Sequence, residues 1–242
     1  MTGSGRIGIL GGTFDPFHLG HLALARAACT ALQLDHVRIV PSNLPPHRSA
    51  PIASTYHRFA MVALGIVGEA GLITDDIESG SEGPSFTITT LARFHSQGFH
   101  PSQIFFIVGA DAFAEIATWR DYPRVLDAAH FVVIARPGRS ASSMTEWLPS
   151  LASRMRLVTS NPIDPLHFAQ PSILLMDVAM PQVSGTVVRE QARLGRSLEG
   201  QVPSLVAAHI QAHHLYETPE GRADRARQPR PSAHELHEQK SI

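Results

Sequence analysis

Residues 6–21 read RIGILGGTFDPFHLGH. The apolar run at 6–10 predicts a short buried strand, and the glycine pair behind it, Gly11 and Gly12, predicts a tight turn. Beyond the turn, the alanine and leucine spacing of residues 21–34 predicts a helix. Residues between a strand and the helix that follows it lie at the carboxyl end of the strand, which is where open α/β sheets bind ligands.

The rest of the chain repeats this alternation of strand and helix. Pro41 ends the second strand, and the proline-containing segment 42–51 behind it predicts a loop. The alternation favours an α/β fold with a doubly wound parallel sheet. The further predicted strands are 36–40, 103–108, 130–135 and 173–176, and the further predicted helices are 55–69, 85–96, 186–194 and 203–214.

Composition narrows the classes of function. Of the 242 residues, 43% are hydrophobic and 17% are charged, as in a soluble globular protein. The net charge of −1 provides no basic field for nucleic acid, and no apolar run is long enough to span a membrane. The first residues lack a signal-peptide pattern, and the single cysteine, Cys29, excludes an internal disulfide. We therefore expect a cytoplasmic protein without nucleic-acid or membrane partners.

The scarcity of lysine excludes two common kinds of site. The only lysine is Lys240, close to the carboxyl terminus. A P-loop needs a lysine to reach the phosphates of its nucleotide, and a Schiff-base enzyme needs a lysine amine. Arginine and histidine must therefore supply the cationic groups of any site within the folded part of the chain.

Two histidines, His18 and His21, lie three residues apart at the start of the first helix. This spacing places both imidazoles on one side of the first helical turn, where unpaired N–H groups and the helix dipole attract anions. Gly20 leaves room for a phosphate, and the imidazoles can donate hydrogen bonds to a phosphoryl group during its transfer. We expect both side chains to face solvent. A merely solvated turn or a zinc pair would also place two histidines here, although no cluster of further zinc ligands is evident nearby.

Other candidate side chains follow predicted strands or open predicted helices. His47 and Arg48 follow two prolines in the loop after the second strand. Ser85 or Thr87 can cap the helix behind them, a role that needs no ligand. Asp111 lies just beyond a strand, where a carboxylate can accept hydrogen bonds from a ribose.

The second half of the chain adds an aromatic residue and a possible phosphate clamp. Trp119 can stack on an aromatic ring, although such a tryptophan is more often part of the core. Arg136 follows a predicted strand. Ser184 and Thr186 at a helix start, with Arg189 one turn later, can bind phosphates, although helix capping explains the hydroxyls as well.

Residues 11–21 resemble the signature of the nucleotidyltransferase superfamily that carries a His-x-Gly-His motif. The extended form with Gly-Gly-Thr-Phe-Asp-Pro resembles the nicotinate-mononucleotide branch, whose other motifs recur here in order over residues 6–216. The resemblance implies a Rossmann-like nucleotidyltransferase fold. It also implies transfer of AMP from ATP to nicotinate mononucleotide, giving nicotinate adenine dinucleotide and pyrophosphate, in NAD biosynthesis.

The resemblance also implies roles for single residues. His18, His21 and Arg189 would be catalytic, and Mg²⁺ would arrive with ATP and have few direct protein ligands. Phe86, Thr89 and Gly185 depart from the family pattern, in which Tyr, Asp and Ser are usual. The residues implied to bind ATP are Gly11, Gly12, Thr13, Phe14, His18, Gly20, His21, Ser184, Thr186 and Arg189. The residues implied to bind nicotinate mononucleotide are Asp15, His47, Arg48, Thr87, Asp111, Trp119 and Arg136.

Two other functions fit parts of this pattern. A sister transferase would act on another phosphate acceptor, such as phosphopantetheine or glycerol phosphate, but the Ser-Phe-Thr segment, Asp111 and Trp119 favour the pyridine mononucleotide. A regulator that binds nucleotides without catalysis would not need His18, His21 and Arg189. The sequence leaves the oligomeric state open, and a homo-oligomer is among the states it allows.

The chain changes character near Glu217. From there onward it is charged, contains prolines and is nearly free of large apolar residues. Such a segment buries too little apolar surface to offset the entropy lost on ordering. We therefore predict a nucleotidyltransferase domain over residues 1–216 and a disordered tail over residues 217–242.

Removal of the tail tests this division. A chain that ends at Thr218 should keep the melting temperature and the activity of the full protein, because the tail adds nothing to the core. Thermal unfolding and an activity assay of both proteins check this. A lower melting temperature or rate would mean that the tail docks on the domain or on a partner.

Overall fold

A parallel sheet of seven strands runs through the described part of the chain, which comprises residues 5–44, 50–80, 83–135, 141–158 and 170–218 of a computed structural model. The spatial order is β3-β2-β1-β4-β5-β7-β6, and neighbouring strands are parallel throughout. The predicted doubly wound parallel sheet is thus confirmed. The strands are β1 (Ile7–Gly12), β2 (His36–Pro41), β3 (Leu72–Thr74), β4 (Ile104–Gly109), β5 (His130–Ala135), β6 (Met155–Leu157) and β7 (Ile173–Asp177).

Helices cover both faces of this sheet. Strand β4 shows how the two faces are filled: Phe105 and Ile107 belong to one cluster of buried apolar side chains, and Phe106 and Val108 belong to the other. Burial on both faces explains why the strands read as continuous apolar runs. The helices are α1 (Leu19–Ala31), α2 (Thr55–Gly65), α3 (Thr87–Ser96), α4 (Ala110–Phe113), α5 (Met144–Trp147), α6 (Gly185–Arg193) and α7 (Ser204–Ala212).

The structure departs from the sequence prediction where elements are short. Strands β3 and β6 were not predicted, because each has three residues at an edge of the sheet and buries only its first side chain. Helix α2 ends at Gly65 instead of residue 69, since the chain turns at Gly68, whose φ is +82°. Glu69 then forms an ion pair with Arg26 on α1.

Strand β1 lies at the point where the winding of the sheet reverses. It pairs with β2 on one side and with β4 on the other, while the chain visits β2 and β3 before it crosses to β4. Connections that leave neighbouring strands in opposite directions open a crevice at their carboxyl ends. The residues after β1 and β4 therefore flank the position where this class of sheet binds ligands.

None of the described helices is long and apolar enough to cross a bilayer. Most of the predicted tail, residues 219–242, lies outside the described residues, so its disorder stays a prediction.

Candidate active site

Two buried phenylalanines shape the turn between β1 and α1, residues 13–18, which we call the signature turn. Phe14 and Phe17 are 2% and 0% exposed and meet edge to face with ring centroids 5.7 Å apart. Phe14 adopts a left-handed φ of +50°. A Cβ on Gly12 would lie 2.9 Å from the Phe14 ring, so the glycine at this position is required by the packing of the turn itself.

The rings of His18 and His21 stack on each other, with centroids 3.6 Å apart and planes 18° from parallel. His21 also meets Phe14 edge to face at 4.9 Å. His18 is only 8% exposed, so the prediction that both histidines face solvent is wrong for His18. Phe14 and Phe17 contact the His21 ring, and His21 stacks on His18, so both imidazoles lie against the protein. A Cβ on Gly20 would lie 3.1 Å from the His18 ring, so this glycine makes room for His18.

A hydrogen bond fixes the neutral tautomer of His21. The backbone N–H of His18 donates to Nδ1 of His21 at 3.3 Å. Because Nδ1 accepts, the proton of the neutral ring is on Nε2, which is then the donor of this imidazole. A donor at the amino end of a helix suits an anionic ligand.

The start of α6 lies against the signature turn. Nη1 of Arg189 donates to the backbone oxygen of Asp15 at 2.7 Å, and its Nη2 donates to Oγ1 of Thr186 at 3.3 Å. Among the described residues, Ser184 holds the N-cap position of α6 without a capping hydrogen bond from its side chain. The structure thus brings Arg189 and Thr186 next to the turn that precedes His18 and His21, as expected if both motifs bind the same phosphates.

Asp15 joins the turn to two other segments. The residue is 9% exposed, and its carboxylate accepts hydrogen bonds from the backbone N–H groups of Ile52 (2.8 Å) and Ala53 (3.2 Å). It also accepts from the hydroxyl of Tyr216 at 2.7 Å. Burial, together with the adjacent Asp15, raises the pKa of Tyr216, so the hydroxyl keeps its proton and donates. Contact of Asp15 with the mononucleotide stays a prediction, since its carboxylate here binds the chain itself.

Arg58 of α2 is buried beneath this edge of the sheet. Only 1% of the residue is exposed, and burial lowers the pKa of its guanidinium, while the nearby Asp15 opposes that effect. Its N–H groups donate to oxygens after β1, after β2 and at the start of α2, so a single side chain joins the three segments. The acceptors are the backbone oxygens of Thr13 (2.9 Å), Ser42 (2.6 Å), Asn43 (3.0 Å) and Ala53 (3.2 Å) and the hydroxyl of Thr55 (3.1 Å).

The segment before α3 adjoins the loop that carries Trp119. The guanidinium carbon of Arg120 stands 4.8 Å from the centre of the Phe86 ring, a cation–π distance. Trp119 is half-buried and meets Phe106 edge to face at 6.2 Å, so the core holds part of its ring. The structure therefore places Thr87, the first residue of α3, beside the Trp119 segment.

The capping role predicted for Ser85 or Thr87 is wrong. Phe86 holds the N-cap position of α3. Ser85 lies one residue before the cap, and its hydroxyl accepts a hydrogen bond from the backbone N–H of Asn43 at 2.9 Å. This bond links the start of α3 to the loop after β2.

Of the other predicted site residues, one is described by the structure and three are not. Asp111 is exposed in the first turn of α4, directly after β4 and therefore at the same sheet edge as the signature turn. His47, Arg48 and Arg136 lie outside the described residues, so their roles stay predictions.

Sequence reasoning missed Arg58, Arg120 and Tyr216. A signal for Arg58 was present, because it shares a helical face with Met61 and Val62, which are fully buried. A charged residue on an apolar helix face needs hydrogen-bond partners. Tyr216 and Arg120 carry no comparable sequence signal, since their partners are far away in the chain.

Comparison with known proteins adds to this geometry. The model of the cytidylyltransferase-like family matches residues 9–191. A probable nicotinate-nucleotide adenylyltransferase of Pseudomonas fluorescens is 38% identical over 216 residues, which cover 88% of this chain and 98% of the relative. One of Roseiflexus sp. is 37% identical with the same coverage. The chain belongs to the nicotinate-nucleotide adenylyltransferase family.

Solved structures support the fold of this family member. The nicotinic acid mononucleotide adenylyltransferase of Plasmodium falciparum, complexed with NaAD, has a TM-score of 0.65 and 18% sequence identity. The match covers 87% of this chain and 97% of that one. A further structure, from Vibrio parahaemolyticus, gives a TM-score of 0.55. These likenesses confirm the Rossmann-like nucleotidyltransferase fold.

Replacement of Arg58 tests the importance of its hydrogen bonds. Arg58→Met should lower the free energy of unfolding by at least about 3 kcal/mol, because several buried carbonyls lose their donor. Arg58→Lys should rescue little, since an ammonium cannot span the same acceptors. Chemical denaturation measures both variants.

Arg26→Met is the matched control for Arg58. The Arg26 side chain is 57% exposed in its ion pair with Glu69, so its loss should cost less than about 1 kcal/mol. Equal losses for the Arg26 and Arg58 variants would show that Arg58 contributes no more than a surface ion pair.

Proposed function

We infer that this protein transfers the AMP group of ATP to the phosphate of nicotinate mononucleotide, a step in NAD biosynthesis. The observation that carries this inference is the hydrogen bond from Arg189 to the backbone of Asp15. This bond joins α6 to the signature turn, which lies at the switch point of the sheet. The same fold is found in nicotinic acid mononucleotide adenylyltransferases of known structure. We also place the reaction in the cytoplasm, which the unpaired Cys29 supports.

The proposed reaction is an in-line displacement at the α-phosphorus of ATP. A phosphate oxygen of nicotinate mononucleotide forms the new P–O bond, the bond from the α-phosphorus to its bridging oxygen breaks, and pyrophosphate leaves. No covalent enzyme intermediate is needed, so catalysis consists of positioning and stabilisation of charge. We assign His18 and His21 to the transferring phosphoryl group and Arg189 to the leaving phosphates.

The remaining ATP contacts are proposed from position. Gly11, Gly12, Thr13 and Phe14 connect β1 to the turn, and Gly20 lies in the first turn of α1. We propose that their backbone groups line the phosphate site at the amino end of this helix. Ser184 and Thr186 are exposed at the start of α6 and offer hydroxyls to the β- and γ-phosphates.

Mg²⁺ is proposed to enter with ATP. Among the described residues, one group of three side chains could share a metal ion, namely His57, His209 and His213. We assign none of these histidines to the binding of ATP or the mononucleotide. The carboxylate of Asp15 is engaged by the chain itself. This donor set fits an ion bound by ATP phosphates and water, whose role is to neutralise the charge of the phosphates.

The mononucleotide is proposed to bind between the start of α3 and the Trp119 segment. Trp119 can stack on the pyridine ring, and Asp111 can accept hydrogen bonds from the ribose. The nicotinate carboxylate would face the amino end of α3 at Thr87, close to the guanidinium of Arg120.

A pyrophosphate assay tests the proposed function. The protein is incubated with ATP, Mg²⁺ and one acceptor at a time: nicotinate mononucleotide, nicotinamide mononucleotide, phosphopantetheine or glycerol phosphate. We expect the highest kcat/KM with nicotinate mononucleotide. Preference for a non-pyridine acceptor would support a sister transferase, and no release with any acceptor would support a nucleotide-binding regulator.

Loss of either histidine should slow the chemical step. We predict that His18→Ala or His21→Ala lowers kcat by about 10²–10³-fold, the scale for one lost donor to developing charge. His18→Ala should also lower the melting temperature, because the buried imidazole and its stacking contact with His21 are lost. Steady-state kinetics and thermal unfolding measure both effects.

His100→Ala serves as the control for the histidine variants. This histidine is exposed at the amino end of a short 3₁₀ turn before β4, so its loss should change kcat little. A double variant of His18 and His21 that keeps a near wild-type kcat would remove both from the mechanism.

The Arg120 charge should favour the acid over the amide. We predict that the wild type prefers nicotinate over nicotinamide mononucleotide by at least about 10² in kcat/KM, since a site built for a carboxylate leaves the amide unpaired. Arg120→Gln should lower this ratio by about tenfold, the effect of a partly screened charge pair. Trp119→Ala should weaken both acceptors and leave the ratio nearly unchanged, because a stacked ring does not distinguish them.

Arg124→Gln makes the same change at an exposed arginine four residues along the chain and should leave the ratio unchanged. Comparable kcat/KM for the two mononucleotides in the wild type would refute this pocket without refuting AMP transfer.

A further inference from the structure

Three histidines meet between α2 and α7, apart from the residues assigned to ATP and the mononucleotide. His57 lies in the first turn of α2, His209 lies in α7, and His213 follows one turn later as the C-cap of α7. Nδ1 of His57 and Nε2 of His209 are 3.1 Å apart. The ring centroids of His209 and His213 are 4.4 Å apart, and those of His57 and His213 are 4.9 Å apart.

This arrangement has the donor set of a transition-metal site. One nitrogen from each ring lies within 4.8 Å of the other two, and the described residues contain no second group of this kind. Tetrahedral zinc with Zn–N bonds of 2.0–2.1 Å would separate its nitrogens by about 3.3 Å. The His57–His209 pair already has that spacing. Because His213 is exposed at a helix end, a change of its rotamer can close the remaining gap.

The chemistry of the ligands selects the class of ion. Three imidazoles without a carboxylate favour zinc and its neighbours in the first transition row over Mg²⁺ or Ca²⁺, which require oxygen ligands. Burial, with the adjacent His213 and His57, lowers the pKa of His209, which favours the neutral ring that a metal ligand requires. Three protein ligands leave a fourth position for water.

We propose that His57, His209 and His213 bind one Zn²⁺-class divalent cation that joins α7 to α2. His57 precedes Arg58, whose hydrogen bonds hold the loops of the candidate active site. Helix α7 leads to Tyr216, whose hydroxyl binds Asp15 in the signature turn. The cation would therefore connect the two elements that support this turn, at a place apart from the residues assigned to AMP transfer.

Zinc titration of the full-length protein tests this site. The protein is first treated with a chelator and then titrated with ZnCl₂, with binding followed by calorimetry and stability by thermal unfolding. We expect one Zn²⁺ per chain and a melting temperature that rises by about 5–11 °C at a zinc concentration 100 times Kd. His213→Asn, which removes an exposed ligand without disturbing the core, should weaken binding by about 100-fold and so reduce the rise to about 1–2 °C at the same zinc concentration.

His214→Asn is the matched control. It makes the same change one residue along, at a histidine that pairs with Glu217, and asparagine tolerates the left-handed φ of +51° found there. This variant should bind zinc as the wild type does. His57→Asn provides a second loss of a ligand, from the other helix.

Two results would overturn the proposal. One is a wild-type protein whose melting temperature and calorimetric trace do not respond to about 100 μM Zn²⁺. The other is zinc binding that is equally strong in the wild type, His57→Asn and His213→Asn, which would place the ion elsewhere in the chain.

Discussion

Arg58 donates hydrogen bonds to three segments of the chain that would otherwise end in unsatisfied buried carbonyls. These segments are the turn after β1, the loop after β2 and the start of α2. Each emerges at the carboxyl edge of the sheet, where a ligand site needs irregular backbone but cannot leave its polar groups without partners. A guanidinium suits this position because it is planar, carries five donors and stays charged even when burial lowers its pKa.

The signature turn depends on that support and extends it. Thr13 accepts from Arg58, and two residues later Asp15 binds three other parts of the chain: the loop before α2 and Tyr216 through its carboxylate, and Arg189 through its backbone oxygen. Helix α6 and the segment that follows α7 therefore meet the turn at one residue. The signature turn also fixes the position of the start of α1, where His18 and His21 stack. The candidate phosphate site is in this way a product of contacts between segments as far apart as residues 15 and 189.

The fold was predictable from the sequence because the parallel strands are buried on both faces. Their apolar runs stand out against the helices, and β5 begins and ends at the predicted residues. Strands β3 and β6 escaped prediction because three residues with one buried side chain carry too little pattern. The motifs predicted that His18, His21 and Arg189 share one site, and the structure brings Arg189 to the turn that precedes the two histidines. Their catalytic roles stay predictions. The burial of His18 was not predictable, because it follows from how Phe14 and Phe17 pack in three dimensions. Arg58 could have been found from its place on an apolar helix face, whereas the partners of Tyr216 depend on tertiary contact.

The proposed function requires the crevice at the switch point, between the signature turn, α6 and the Trp119 segment, to hold both nucleotides during AMP transfer. A crystal structure of this protein with bound nicotinate adenine dinucleotide would test it most directly. We expect the phosphates of the product to lie at the amino end of α1, beside His21 and Arg189, with the pyridine ring near Trp119 and its carboxylate toward Thr87 and Arg120. A product bound away from the signature turn, or one with the pyridine ring against α6 and the adenosine near Trp119, would contradict the proposed site.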